Sequence, residues 1–123
     1  MQWLLHGNVT EAAADALRRH GHQTHGLDDL DQPAPTDTRE LLKAAQTKQW
    51  DLFTTDSALV NAIYDDEIWF KRAIVYLQLS GEDVEQDDAV DRLFKRYKRL
   101  TPGRMYTVTE SRVKVRQLPG SNR

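Results

Sequence analysis

The sequence predicts an α/β fold with a mainly parallel central sheet, flanking helices and a C-terminal β-hairpin. Three observations carry that prediction. Leu52 to Thr54 and Ala73 to Leu77 are short continuous apolar runs, as expected of parallel strands covered on both faces. Between such runs lie stretches of helical periodicity, and strands alternating with helices four times over imply βαβ units with right-handed crossovers. The end of the chain instead alternates apolar and basic residues around a turn, the pattern of two antiparallel strands.

The 123 residues suit one domain spanning 1–123, with enough apolar content for a real core. The absence of Cys excludes disulfides, thiolate metal sites and a cysteine nucleophile. Apolar runs of about five residues fall far short of a membrane span, and no secretion signal is visible, so an intracellular, cytoplasmic protein is expected. Charge is unevenly distributed. Residues 1–88 hold seven Lys/Arg against seventeen Asp/Glu, whereas residues 89–123 hold ten against two. An acidic body with a basic end allows an anionic partner at that end.

In chain order, Trp3-Leu4-Leu5 is a first short strand ending in His6-Gly7-Asn8. Glu11 to His20 is an Ala-rich helix that Asn8 or Thr10 can cap, and Gly21 stops it with a left-handed turn. His22 to Leu27 reads as a second, weakly hydrophobic strand suited to a sheet edge. A polar connection from Asp28 to Pro35 leads to a helix from Thr38 to Ala45, capped by Thr36 or Asp37. The strand of Leu52 to Thr54 runs out into Asp56, and a helix opens at Ser57 with Leu59, Val60 and Ile63 inward. In open α/β sheets ligands sit outside the carboxyl ends of the strands, so Asp56 is the first candidate for a functional residue.

Ile68-Trp69-Phe70 lies over or just after the core, and Ala73 to Leu77 is the strongest strand. In the last helix Val90, Leu93, Phe94 and Tyr97 form one apolar stripe. Arg92, Lys95, Arg96 and Arg99 take the opposite side, and Pro102-Gly103 ends the helix. Met105 to Thr109 and Arg112 to Arg116 form the hairpin, with Val113 and Val115 pointing one way and Arg112, Lys114 and Arg116 the other.

The order and spacing of these motifs resemble the small bacterial PIN-like proteins, a branch of the PIN nuclease superfamily. The stretches that carry the resemblance are Leu4 to Asn8, Arg18 to His22, Thr36 to Ala45, Asp51 to Leu59, Ala73 to Leu79 and Gly103 to Pro119, which together cover nearly the whole chain. The resemblance implies a three-layer PIN-like fold and acidic residues at strand ends that bind Mg²⁺ or Mn²⁺ for phosphodiester hydrolysis. Carried over, Asp37 and Asp56 match two acidic positions and would hold the metal. Asn8 matches the family's Asn and would position water. His6 stands where the family's first strand ends in Asp, and the fourth acid has no sharp match, Glu82 or Asp83 being its candidates.

One ion on Asp37 and Asp56 is chemically sensible, because Mg²⁺ accepts one or two carboxylates and keeps several waters. Two-metal catalysis needs more acids than these. His6 has two readings: a ligand that favours Mn²⁺ or Zn²⁺, or a residue that fills the acidic position and pairs with Asp56. His20, His22 and His25 do not converge by spacing alone. The basic residues Arg92, Lys95, Arg96, Arg99, Arg112, Lys114 and Arg116 could follow a phosphate backbone, with Tyr97 and Tyr106 stacking on bases; each group also has the simpler role of a solvated face. Two functions follow as expectations. One is a metal-dependent ribonuclease of PIN type, some relatives of which are toxin components held by an antitoxin. The other is a catalytically degenerate PIN-like module that binds RNA or a protein partner. A homodimer through Trp50 or Trp69-Phe70 is a further expectation.

Overall fold

The computed structural model describes residues 1–30, 37–79 and 85–119. Among these residues six strands form one sheet: β1 (Gln2–His6), β2 (Gln23–His25), β3 (Asp51–Thr54), β4 (Ile74–Leu77), β5 (Arg104–Val108) and β6 (Val113–Gln117). Their spatial order is β2-β1-β3-β4-β5-β6, all neighbours being parallel except the β5–β6 hairpin. The helices are α1 (Glu11–Arg19), α2 (Thr38–Thr47), α3 (Ser57–Asp65) and α4 (Gln86–Arg96). No helix among the described residues is long and apolar enough to cross a membrane.

Local signals set the helix ends. The Thr10 hydroxyl accepts from the Ala13 N–H, and Asp37 and Asp56 cap α2 and α3 in the same manner. Such side-chain oxygens satisfy N–H groups that have no partner inside the helix. Gly21 takes the left-handed conformation after α1, at φ 85°. β3 and β4 are buried along their whole length, which is why their sequences do not alternate. β2 is a three-residue edge strand, shorter than the His22 to Leu27 expected, because the chain turns into a short 3₁₀ segment at Leu27.

Two apolar layers cover the sheet. On one face Ala13, Ala16 and Leu17 of α1 and Ala89, Val90, Leu93 and Phe94 of α4 pack on Trp3, Phe53, Val75 and Tyr106. On the other, Leu41, Leu42 and Ala45 of α2 and Leu59, Val60 and Ile63 of α3 pack on Leu4, Leu52, Ile74 and Met105. This arrangement corrects the expectation of uniform crossover hand. The chain moves across the sheet in one direction from β2 to β3, β4 and β5, yet α2 and α3 lie on one face and α4 on the other. The β4-α4-β5 unit therefore has the opposite hand to the other three crossovers, against the strong right-handed preference. Packing supplies the reason: α2 and α3 already occupy one face, and without α4 the apolar side of β3, β4 and β5 beside α1 would be open to water.

α4 stops at Arg96, well before Pro102-Gly103. Tyr97 leaves the helix so that its ring meets Tyr106 edge-on at 5.3 Å, and Leu100 is buried beyond it. Arg99 is therefore outside the helix rather than on its polar face. Trp50 and Phe70 are buried rather than exposed as expected, whereas Trp69 is 56% exposed beneath the Lys71 ammonium.

Candidate functional site

The direction of winding reverses between β1 and β3, which are neighbours although β2 lies between them in sequence. The crevice outside the carboxyl ends at such a switch point is where open α/β sheets bind ligands. Here His6 ends β1, Thr54 ends β3, and Asn8 and Asp56 follow them. Register pairs His6 with Thr54.

The His6 ring Nδ1 lies 2.9 Å from Thr54 Oγ1, and the same oxygen accepts from the Asp56 N–H at 3.0 Å. Thr54 is fully buried. With its oxygen already accepting, the arrangement that uses every group has the Thr54 hydroxyl donating to Nδ1, so the neutral ring carries its proton on Nε2. Burial lowers the His6 pKa and is the larger influence; the nearby Asp56 charge pulls it back up. His6 and Asp56 share the Thr54 hydroxyl oxygen as a partner, but among the described residues no hydrogen bond joins the two, so a bond to Thr54 stands in place of the His6–Asp56 pair expected from the sequence.

The loop after β1 is fastened on both sides. The Asn8 N–H donates to Thr55 Oγ1 at 2.8 Å. Gln86, in the first turn of α4, accepts from the Thr10 N–H and donates to the Asn8 carbonyl. Gly7 makes the turn at φ 81°, and a Cβ there would lie 2.6 Å from Thr55 Oγ1. Gly7→Ala should therefore cost about 2 kcal/mol in chemical denaturation, through left-handed strain and displacement of Thr55; an unchanged midpoint would show that the loop relaxes freely. Thr54, Thr55 and Gln86 were not visible as site residues in the sequence. The Thr-Thr-Asp run at a strand end was the one available signal.

Asp37 does not join this group. Its carboxylate accepts from the Arg39 N–H at 2.8 Å, and the Arg39 guanidinium donates to the Asp66 carbonyl at the far end of α3. Asp56 caps the near end, roughly 15 Å away at the rise of a helix. Among the described residues no three His, Asp or Glu side chains gather to hold an ion. Glu82 and Asp83 lie outside the described residues. The Asp56 carboxylate is occupied through Oδ1 with the Ala58 and Leu59 N–H groups. For His6 to ligate through Nε2, its proton would have to move to Nδ1 and reverse the Thr54 bond. The described donors do not fit a catalytic metal centre. One strand further along, Gln78, Leu79 and Thr109 to Ser111 border an open cavity of about 280 Å³, and Glu110 is the ionisable group among these described lining residues.

Of the three remaining histidines, His20 and His22 pack on the same Phe94 ring while His25 stands apart, and each is engaged elsewhere. His20 bonds Asp91, His22 accepts from the Trp3 indole, and His25 stacks on Trp50. The basic residues are dispersed. Arg92, Lys95 and Arg96 belong to α4, on the α1 side of the sheet. Lys114 and Arg116 pair in register with Thr107 and Met105 and face the α3 side, where the Arg116 guanidinium lies 3.6 Å over the Tyr64 ring. Arg112 is in the hairpin turn. They do not form one continuous track. Tyr106 is buried, with its hydroxyl accepting from the Thr101 N–H, and Tyr97 packs against it, so the expected base-stacking pair is part of the core.

No family model, no curated protein and no solved structure matches this chain.

Proposed function

We propose that this chain is a PIN-like module that works by binding a protein partner and has lost metal-dependent RNA cleavage. The observation that carries the reading is His6 at the β1 carboxyl end, in the position where the resemblance calls for an acid, tied through Nδ1 to buried Thr54 and set beside Asp56. A neutral imidazole there supplies no negative charge to attract Mg²⁺, which prefers oxygen ligands. The division of the basic residues between the two sides of the sheet, and the burial of Tyr106, favour a protein over a single strand of RNA.

The test is incubation of the full chain with single-stranded RNA and Mg²⁺ or Mn²⁺. No cleavage above the metal-only control is expected from the wild type. Cleavage that Asp56→Asn abolishes would overturn the proposal and support a nuclease. His6→Asp should raise Mn²⁺ affinity measured by calorimetry, because it places a second carboxylate near Asp56.

A further inference from the structure

We propose that the outer edge of β6 is a docking strand for an extended peptide in which acidic and apolar residues alternate. The proposal rests on the protein-binding reading above and adds the surface and the chemistry of the partner. Among the described residues β6 pairs on one side only, with β5. The bonds from the Thr109 N–H to the Arg112 carbonyl and from the Leu118 N–H to the Gly103 carbonyl, both 2.9 Å, fix the phase of the ladder. Residues 112, 114, 116 and 118 direct their backbone groups at β5, so Val113, Val115 and Gln117 direct theirs outward.

The Gln117 carbonyl is taken by the Tyr64 hydroxyl at 3.0 Å, and burial raises the Tyr64 pKa, which keeps that donor protonated. The outward groups of Val113 and Val115 and the Gln117 N–H have no partner among the described residues. They form a short hydrogen-bonding template.

The side chains at this edge differ by face. Val113 and Val115 share the face of Val108 and Tyr106, and Val115 is 40% exposed. Lys114 and Arg116 share the other, with Arg116 held over Tyr64. An added strand would meet apolar groups on one side and cations on the other, so a peptide alternating in the same phase gains on both. A second copy of the chain fits poorly. In a two-fold antiparallel pairing each residue meets one from the same face, which sets Lys114 against Lys114 or Arg116.

The experiment uses the ¹⁵N-labelled full chain with three probes: a peptide alternating Glu and Val, the same peptide with Lys for Glu, and oligouridylate. The Glu/Val peptide should slow amide exchange at Val113, Val115 and Gln117. Lys114 and Arg116, already paired to β5, should not change. Val115→Pro removes an outward N–H and no β5–β6 bond, and should weaken binding about tenfold or more. Lys114→Glu with Arg116→Glu should reverse the preference to the Lys/Val peptide, a second readout if the Pro variant does not fold. Absence of slowing at these amides, equal binding by Val115→Pro, slowing by oligouridylate alone, or slowing without peptide in a sedimenting dimer would each overturn the proposal. RNA cleavage by the wild type would overturn the binding-module reading and leave the edge result standing.

Discussion

Asp51→Ala should lower the unfolding free energy by about 2 to 3 kcal/mol, chiefly because it strips the acceptor from a buried backbone N–H, with a smaller share from the partly exposed Arg72. Asp51 opens β3 at 1% exposure, at the opposite end of the strand from the candidate site. Its carboxylate accepts from the Ala73 N–H at 2.9 Å and from the Arg72 guanidinium at 3.3 Å. Burial pushes the Asp51 carboxyl pKa up; the Ala73 N–H and the Arg72 cation act against that. Truncation to Ala leaves a buried backbone N–H without an acceptor and Arg72 without its counter-charge. The Arg72 Nε is already buried without a hydrogen-bond partner among the described residues. Asp51→Asn keeps an acceptor for Ala73 and should lose less. Denaturant unfolding of the two variants is the measurement, and an Asp51→Ala midpoint equal to that of the wild type would show that Asp51 is dispensable for the β3–β4 junction.

The second large effect is acid sensitivity at His22. This imidazole accepts the Trp3 indole N–H at 3.0 Å and packs 4.5 Å from the Phe94 ring. Burial, followed by repulsion from the chain amino terminus and His20, lowers its pKa to about 4. The unfolded chain takes up a proton at this side chain near pH 6.5, whereas the native state resists it down to about pH 4. Stability contributed by neutral His22 is therefore complete above pH 6.5 and falls as pH drops through that window. Allowing for solvent screening of this half-exposed ring, the loss between pH 7 and 4.5 should be about 1.5 kcal/mol. His22→Asn retains an acceptor for Trp3 without a titrating ring. It should be less stable at pH 7, having lost contacts with Phe94, and should lack this part of the pH slope. A parallel slope in the two proteins would exclude His22 as its source.

Much of the fold was legible because its causes are local. A continuous apolar run already identifies a strand covered on both faces, as in Ala73 to Leu77, and an oxygen-bearing side chain before a helical pattern already identifies a cap, as at Thr10, Asp37 and Asp56. The weak hydrophobicity after His22 likewise matched an edge strand.

The candidate site was legible only in part. Strand-end placement singled out Asp56 and His6, but Thr54, Thr55 and Gln86 are separated from the residues they hold by 47 to 78 positions. The sequence by itself determined about where strands and helices begin, narrowed the caps of the first two connecting helices to Asn8 or Thr10 and Thr36 or Asp37, and showed where the basic charge accumulates, since each depends on near neighbours along the chain. The tertiary structure alone decided that α4 crosses to the α1 face, that Tyr106 is core, that Asp37 stands apart from Asp56, and that the cations divide between two sides of the sheet. Those outcomes depend on which apolar surfaces must be covered and which distant polar groups must be satisfied, and neither is written in a local pattern.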